Sequence, residues 1–257
     1  MEICKKLKNL YLYNNNLKKI ESISGLQDLT HLYLENNQIS KIENLPTSSL
    51  QKLYLNENDI IVIENLEECA RLTELHVAGQ RLPPRQPLSF APSVLNTLSQ
   101  TLLVLNMKDC NLFDVSPILN LPLLRKLNLS KNNICGMDHA LSLMQLEDLL
   151  DLDLRGNPVV KVPKYMENIV ANCPPDFVRL DGNEVHENHK VCLKALVAYK
   201  SRGGDGTLGG GRGGHGMDMG MMRDTSDMSF GVGEGGGNDE EWGAQAGAID
   251  FVDGQFK

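Results

Sequence analysis

Residues 29–45, LTHLYLENNQISKIENL, place apolar side chains at Leu29, Leu32, Leu34, Ile39, Ile42 and Leu45, with Asn37 between the two groups. The Leu32/Leu34 pair alternates as on a short strand. Asn37 turns the chain, a role that short polar side chains fill by bonding nearby backbone. The three-residue spacing of Ile39, Ile42 and Leu45 suits a single 3₁₀ or α turn. The same unit recurs from Leu7 and again from Leu50, a period near 22 residues. One such unit cannot bury its own apolar positions and needs a neighbour above and below, so the chain must coil as a solenoid.

Seven units align by their first leucine, at Leu7, Leu29, Leu50, Leu72, Leu102, Leu124 and Leu149. Their strand pairs include Leu10/Leu12, Leu53/Leu55, Leu127/Leu129 and Leu152/Leu154, and the turn asparagine recurs as Asn15, Asn58, Asn132 and Asn157. Cys110 stands in its place in the fifth unit, and Gln80, an atypical choice, in the fourth. The expected fold is therefore α/β: a curved parallel sheet with short 3₁₀ or α elements on its convex side, in repeats over residues 1–157.

The fourth unit is longer than the others because Pro83, Pro84 and Pro87 prevent a regular turn. A helix over residues 92–100, with Leu95 and Leu98 facing the core, is expected to close this convex-side excursion. After Asn157-Pro158, residues 158–200 read as a cap. It comprises a helix over 164–172, an extended Phe177–Gly182 segment and a helix over 187–200, and it buries Phe177, Leu180, Leu193 and Leu196. The first unit opens with no polar cap before it, so either further chain or a partner is expected to cover that end.

Residues 201–257 hold 18 of the 23 glycines and a net charge near −6, while residues 1–200 are almost neutral. Such a tail buries too little to offset its ordering entropy, so a Gly-rich, acidic, disordered segment is expected. The near-neutral repeats argue against nucleic acid as the partner. No apolar run is long enough to cross a bilayer, so no membrane partner is expected. The six cysteines are scattered without CxxC spacing, which suits a reducing, cytoplasmic compartment. No cofactor or metal is implied: no GKS or GKT follows the glycines, and His186-Glu187-Asn188-His189 lacks the spacing of a zinc helix. No nucleophile–base arrangement suggests an enzyme.

The 22-residue form LxxLxLxxNxIxxIxxL resembles the SDS-twenty-two-like class of intracellular leucine-rich repeats. Within that class, Gln80-Arg81-Leu82-Pro83, Leu88-Ser89-Phe90-Ala91-Pro92, Gly156-Asn157-Pro158, Pro163-Lys164-Tyr165 and Leu180-Asp181-Gly182 resemble a testis leucine-rich type of protein phosphatase-1 regulatory subunit. The resemblance covers about residues 1–200, lacks one N-terminal repeat and leaves the Gly-rich tail without a counterpart. It implies binding and regulation of the phosphatase-1 catalytic subunit, at the centrosome and microtubule cytoskeleton, with tubulin or centrosomal proteins nearby. An axonemal scaffold of the dynein light-chain type is the rival reading, because its repeats are built similarly. The basic-Val-x-Phe docking peptide used by many phosphatase partners is missing: Lys161-Val162-Pro163-Lys164 lacks its aromatic residue.

Contact would then fall on the concave face. The residue between the strand leucines runs Tyr11, Tyr33, Tyr54, His76, Asn106, Asn128 and Asp153. Strands favour aromatics in any case, but tyrosine also dominates interface hot spots. The expected partner-binding set is Tyr11, Tyr13, Tyr33, Glu35, Tyr54, Asn56, His76, Asp151, Asp153 and Arg155.

Overall fold

The computed structural model describes residues 6–201. In chain order the strands are β1 (Asn9–Tyr11), β2 (His31–Tyr33), β3 (Lys52–Tyr54), β4 (Val62–Ile63), β5 (Glu74–His76) and β6 (Ser89–Phe90). They continue with β7 (Val104–Asn106), β8 (Lys126–Asn128), β9 (Asp151–Asp153), β10 (Arg179–Leu180) and β11 (Asn183–Glu184). Nine of them form one sheet in the order β1-β2-β3-β5-β7-β8-β9-β10-β11, parallel up to β10. Register is constant: Leu10 pairs with Leu32, Leu32 with Leu53, Leu53 with Leu75, and so on to Leu152 with Leu180. The inward leucines from Leu32 to Leu154 are fully buried, and the leucine-rich solenoid expected from the period is the fold.

The turn asparagines join consecutive coils. Asn58 Nδ2 donates to the carbonyls of Leu34 (2.9 Å), Leu55 (3.0 Å) and Asn56 (3.2 Å), and its Oδ1 accepts the Ile39 N–H at 3.0 Å. Asn37, Asn132 and Asn157 repeat the arrangement, each at most 3% exposed. Gln80 makes the same bonds, reaching Leu55 O at 2.8 Å and accepting Ile60 N–H at 3.0 Å, so its extra methylene is accommodated. Cys110 donates Sγ–H to Val77 O at 3.2 Å, but a thiol is a weak acceptor. The Leu82 N–H, which would meet the missing amide oxygen, instead donates to Gln80 O at 2.9 Å.

The residue before each of these turn side chains takes a left-handed φ: Asn36 (51°), Glu57 (57°), Asp109 (55°) and Lys131 (56°), with Gly79 and Gly156 in the same place. Asn and Asp visit this region readily, whereas Glu57 and Lys131 adopt it at a cost. At Gly156 a Cβ would lie 3.3 Å from the Lys131 backbone, so glycine relieves a tight approach there as well as suiting the φ.

The irregular fourth unit is tied down rather than loose. β6 pairs parallel with β4 in a separate two-stranded ladder. Arg81 spans three coils, bonding Asp59 Oδ1 (2.8 Å), Glu57 O (2.8 Å) and Asn37 O. Helix α1 (Pro92–Leu98) follows: Leu98 is buried in the core and Leu95, half-buried, packs against it, while Val94 joins the expected pair as a fully buried third residue. Val94 and Leu98 are one turn apart on a single face, and Leu95 lies beside it.

Short helical pieces cover the later coils: 3₁₀ turns at Ile118–Asn120, Leu143–Gln145 and Pro158–Lys161, and α2 (Met137–Ser142). Helix α3 (Tyr165–Asn172) and α4 (Glu187–Ser201) then pack together. The Phe177–Gly182 segment is more than a cap: β10 adds an eighth parallel strand to the repeats, and antiparallel β11 covers its outer edge. Phe177, Leu180 and Leu193 are buried as expected, but Leu196 is 41% exposed. Helix α4 meets the body through its first half, anchored by Lys190 Nζ on Pro175 O at 2.7 Å, and residues 195–199 are exposed.

Among the described residues Cys69, Cys110, Cys135, Cys173 and Cys192 are free thiols, and no helix is long and apolar enough to cross a membrane. Residues 202–257, which carry the Gly-rich stretch expected to be disordered, lie outside the described residues.

Removing a buried ladder amide strands several backbone groups at once. Asn58→Ala is expected to lower stability by about 3 kcal/mol or more, whereas Asn15→Ala, at an exposed position, should cost about 1 kcal/mol or less. Urea denaturation of the two variants checks the ranking.

Candidate functional site

The outward residues of the main sheet repeat at the strand spacing, about 4.8 Å. Their side chains therefore stack on one another. Tyr11 and Tyr33 lie 4.6 Å apart at 15°, Tyr33 and Tyr54 4.6 Å apart at 13°, and Tyr54 and His76 4.4 Å apart at 15°. This four-ring column crosses four parallel strands. Stacking covers the ring faces, so Tyr33, Tyr54 and His76 are only 7%, 5% and 3% exposed, while terminal Tyr11 remains 42% exposed. Tyr13 meets Tyr11 edge-on at 6.3 Å. For the expected contact set the consequence is plain: Tyr33 and Tyr54 present only their outer edges, and Tyr11 and Tyr13 present rings.

Charged groups border the column. Lys52 Nζ lies 2.7 Å from Glu74 Oε1, and the Tyr54 hydroxyl donates to Glu74 Oε2 at 3.3 Å. His76 Nε2 is 3.9 Å from the same Oε2, an ion-pair distance beyond hydrogen-bond reach, and neither ring nitrogen has a hydrogen bond within 3.5 Å. Burial alone would raise the Glu74 carboxyl, but His76 and Lys52 beside it prevail and hold it at about 2. Burial also pushes up the Tyr54 phenol, with the Glu74 carboxylate adding to it. His31, whose Nδ1 is 2.8 Å from Thr30 Oγ1, is lowered by burial and then by Lys52.

On the other side of the column Glu35 is half-buried, and its Oε2 has no hydrogen-bond partner. Burial, together with the charge of Glu57, raises this carboxyl to about 7. Asn56 sits in the next strand, its Oδ1 accepting the Ala78 N–H at 2.8 Å.

Asp151, Asp153 and Arg155 form a separate group on β9, with β7 and β8 between them and the ring column. Asp153 is 3% exposed and engaged by Arg155 through Nε at 3.0 Å and Nη2 at 2.6 Å. Asp151 meets Arg179 of β10 at 3.3 Å. Asp181, which accepts the Leu154 N–H at 2.7 Å, is raised by burial to about 6, with the Asp153 charge contributing. The expected set is thus two clusters on one sheet.

Participants outside the sequence-expected set include Lys52, Glu74 and Arg179. Lys52 and Glu74 occupy the same position of adjacent units, so their pairing was available from the alignment of the repeats. Arg179 required recognising Phe177–Gly182 as a further strand. Among the described residues no group of three or more His, Cys, Asp or Glu is placed to hold a metal.

Residues 5–47 match the family described as leucine-rich repeats, in two copies. Among solved structures, an internalin from Listeria monocytogenes is similar at 20% identity and a TM-score of 0.54, over 70% of this chain and 48% of its own. The chain thus spans about half the length of that internalin. A chain from the Chaetomium Mex67:Mtr2 structure is 24% identical over 40% of this chain and 75% of its own, with a TM-score of 0.34. One from the Drosophila melanogaster SNF/U2A' complex is 18% identical over 75% of this chain and 83% of its own, also with a TM-score of 0.34.

The raised Glu35 carboxyl has a thermodynamic signature. Its folded value lies near 7, above the ordinary 4.5, so the charged form is disfavoured in the fold. The protein should lose stability as pH rises from about 4.5 to about 7, by about 1–2 kcal/mol after solvent screening, and Glu35→Gln should remove that component. The difference in urea midpoint between the two proteins, followed across this range, checks it. With its register, its buried amide ladder and its two matched units, the coil is a leucine-rich repeat solenoid.

Proposed function

We propose that this chain is a non-enzymatic regulatory or scaffold subunit whose concave sheet holds the protein phosphatase-1 catalytic subunit and modulates its activity. The observation that carries the reading is the ring column Tyr11–Tyr33–Tyr54–His76, bordered by Glu35, Lys52 and Glu74. A rigid aromatic surface with a few charges around it binds protein well, because little side-chain entropy remains to be lost. The phosphatase as partner rests on the resemblance carried by Gln80-Arg81-Leu82-Pro83 and the segments after it. In the structure this stretch is ordered by Arg81, which adds an observation about the fold but not about the partner. The same resemblance supports a cytoplasmic location at the centrosome and microtubules.

Burial decides which residues to test. Tyr33→Ala would remove the middle of the column and destabilise the fold, so lost binding would be ambiguous. Tyr11→Ala/Tyr13→Ala alters open rings at the column's end. With purified phosphatase-1 catalytic subunit, this double variant should bind about tenfold more weakly or worse while keeping its circular dichroism. Wild-type affinity in the variant would sink the concave-face reading. Absence of phosphatase binding by the wild type, with capture of purified axonemal dynein instead, would favour the dynein light-chain type of scaffold.

A further inference from the structure

We propose that a recess on the flank of the first three coils, lined by Lys18, Lys19 and Lys41, receives a phosphorylated serine or threonine side chain of a protein partner. The recess lies outside the concave rows, so the phosphate site goes beyond the concave-face reading and does not depend on it.

The recess measures about 490 Å³ and draws its walls from three successive coils. Lys18 and Lys19 come from the first, Gln38, Ser40, Lys41 and Glu43 from the second, and Asp59 from the third. The coils are tied together at this level: Gln38 N–H donates to Leu17 O at 2.8 Å, and Asp59 N–H to Ile39 O at 2.9 Å. Lys19 and Lys41 occupy the same position of adjacent units, counted from Leu7 and Leu29. Their backbones therefore lie about one coil spacing apart, ~4.8 Å, and Lys18 stands next to Lys19.

All three lysines and Ser40 are exposed, so a ligand can reach them. Among the described residues none of the three lysines has an ion-pair partner, and the Ser40 hydroxyl makes no hydrogen bond. Of the two acids in the recess, Asp59 is held by Arg81 at 2.8 Å, which leaves Glu43 against three lysines. Like charges kept side by side by a fixed register repel one another, and an anion between them relieves the repulsion.

The donors define the anion. An ammonium is a point charge whose donors serve any oxygen that approaches, as in other phosphate-binding lysines. A phosphate monoester brings a charge of about −1.5 to −2 and three acceptor oxygens, enough to meet all three lysines. The Ser40 hydroxyl and the Gln38 amide add neutral donors at the wall. A carboxylate offers one charge and two oxygens. The volume falls in the usual range of ligand sites, about 300–1,000 Å³, and leaves room for the residues flanking the phosphate. The cations also stop after the second coil: Ile61 and Val62 stand in the third where Ser40 and Lys41 stand in the second. A nucleic acid needs cations repeated along its backbone, whereas this recess suits a single phosphate.

The test uses the full chain and the peptide acetyl-Gly-phosphoserine-Gly amide, followed by nuclear magnetic resonance shifts of the Gln38 and Ser40 amides. Saturable shifts at these residues are expected, about tenfold weaker or worse with glutamate in place of phosphoserine. Lys19→Ala/Lys41→Ala should weaken the phosphopeptide at least about tenfold while keeping its circular dichroism, because both side chains are exposed. Glu43→Gln should strengthen binding by several fold, a gain that damage to the fold would not produce. Lys131→Ala/Lys161→Ala, at exposed lysines outside the recess, should change nothing. Equal binding of the glutamate peptide, unchanged affinity in Lys19→Ala/Lys41→Ala, or equal loss in the Lys131/Lys161 variant would overturn the phosphate site. Inorganic phosphate binding as tightly as the peptide would show an adventitious ion only, and tighter binding of oligouridylate would assign the recess to nucleic acid. Either result overturns the proposal, and neither bears on the concave-face reading.

Discussion

The buried amide at the turn is what every other feature of this chain depends on. Asn58 satisfies two carbonyls of its own coil, one carbonyl of the coil before and one N–H of that coil, all without water. Leucine burial drives the coils together but is indifferent to a shift of one coil along another. The amide is directional and is not indifferent. It sets each coil at the register in which Leu32, Leu53 and Leu75 face one another. The substitutions at this position show which part of the group matters. Gln80 keeps both the donor and the acceptor and leaves the pattern unchanged, whereas Cys110 keeps only a weak donor and the chain finds another acceptor for Leu82.

Fixed register creates the concave face as a by-product. Side chains at one position of successive coils lie a strand spacing apart, close to the optimum for stacked rings. Tyrosines at that position must therefore pack face to face. The solvent-facing row becomes a second, narrow core, which is why three of the four column residues are nearly inaccessible.

This by-product separates what the sequence reveals from what it conceals. The repeat period, the inward leucines and the turn asparagines were legible because each is a single residue type at a constant offset. Position in the sheet was legible for the same reason for Tyr11, Tyr33, Tyr54, His76, Asp151 and Asp153, which lie in its strands. Their accessibility was not, because it depends on the residue one coil away: Tyr33 is covered by Tyr11 and Tyr54 and not by anything in its own unit. The errors in the helices have a similar origin. Val94 is more deeply buried than Leu95, and Leu196 is 41% exposed, because helical periodicity gives a face but not the angle at which the solenoid meets it. The strand within the cap escaped the alignment because Phe177–Gly182 lacks the leucine spacing of the earlier units, although its backbone pairs as theirs do.

The two ends of the concave row differ in how they use their polar atoms. In β7, β8 and β9 the central residue is Asn106, Asn128 or Asp153, and each turns its side-chain oxygen back onto the N–H two residues on, at 2.9–3.1 Å. These groups are spent within the strand. A phenol or an imidazole cannot fold back in this way, so in β1, β2, β3 and β5 the polar atoms stand at the far edge of a rigid ring. Tyr54 finds a hydrogen bond there, to Glu74 at 3.3 Å, and the His76 imidazole meets the same carboxylate at 3.9 Å. Unspent hydrogen-bonding capacity is thus concentrated at the aromatic end, next to Glu35 and Glu74. The β9 cluster is compensated by Arg155 and Arg179.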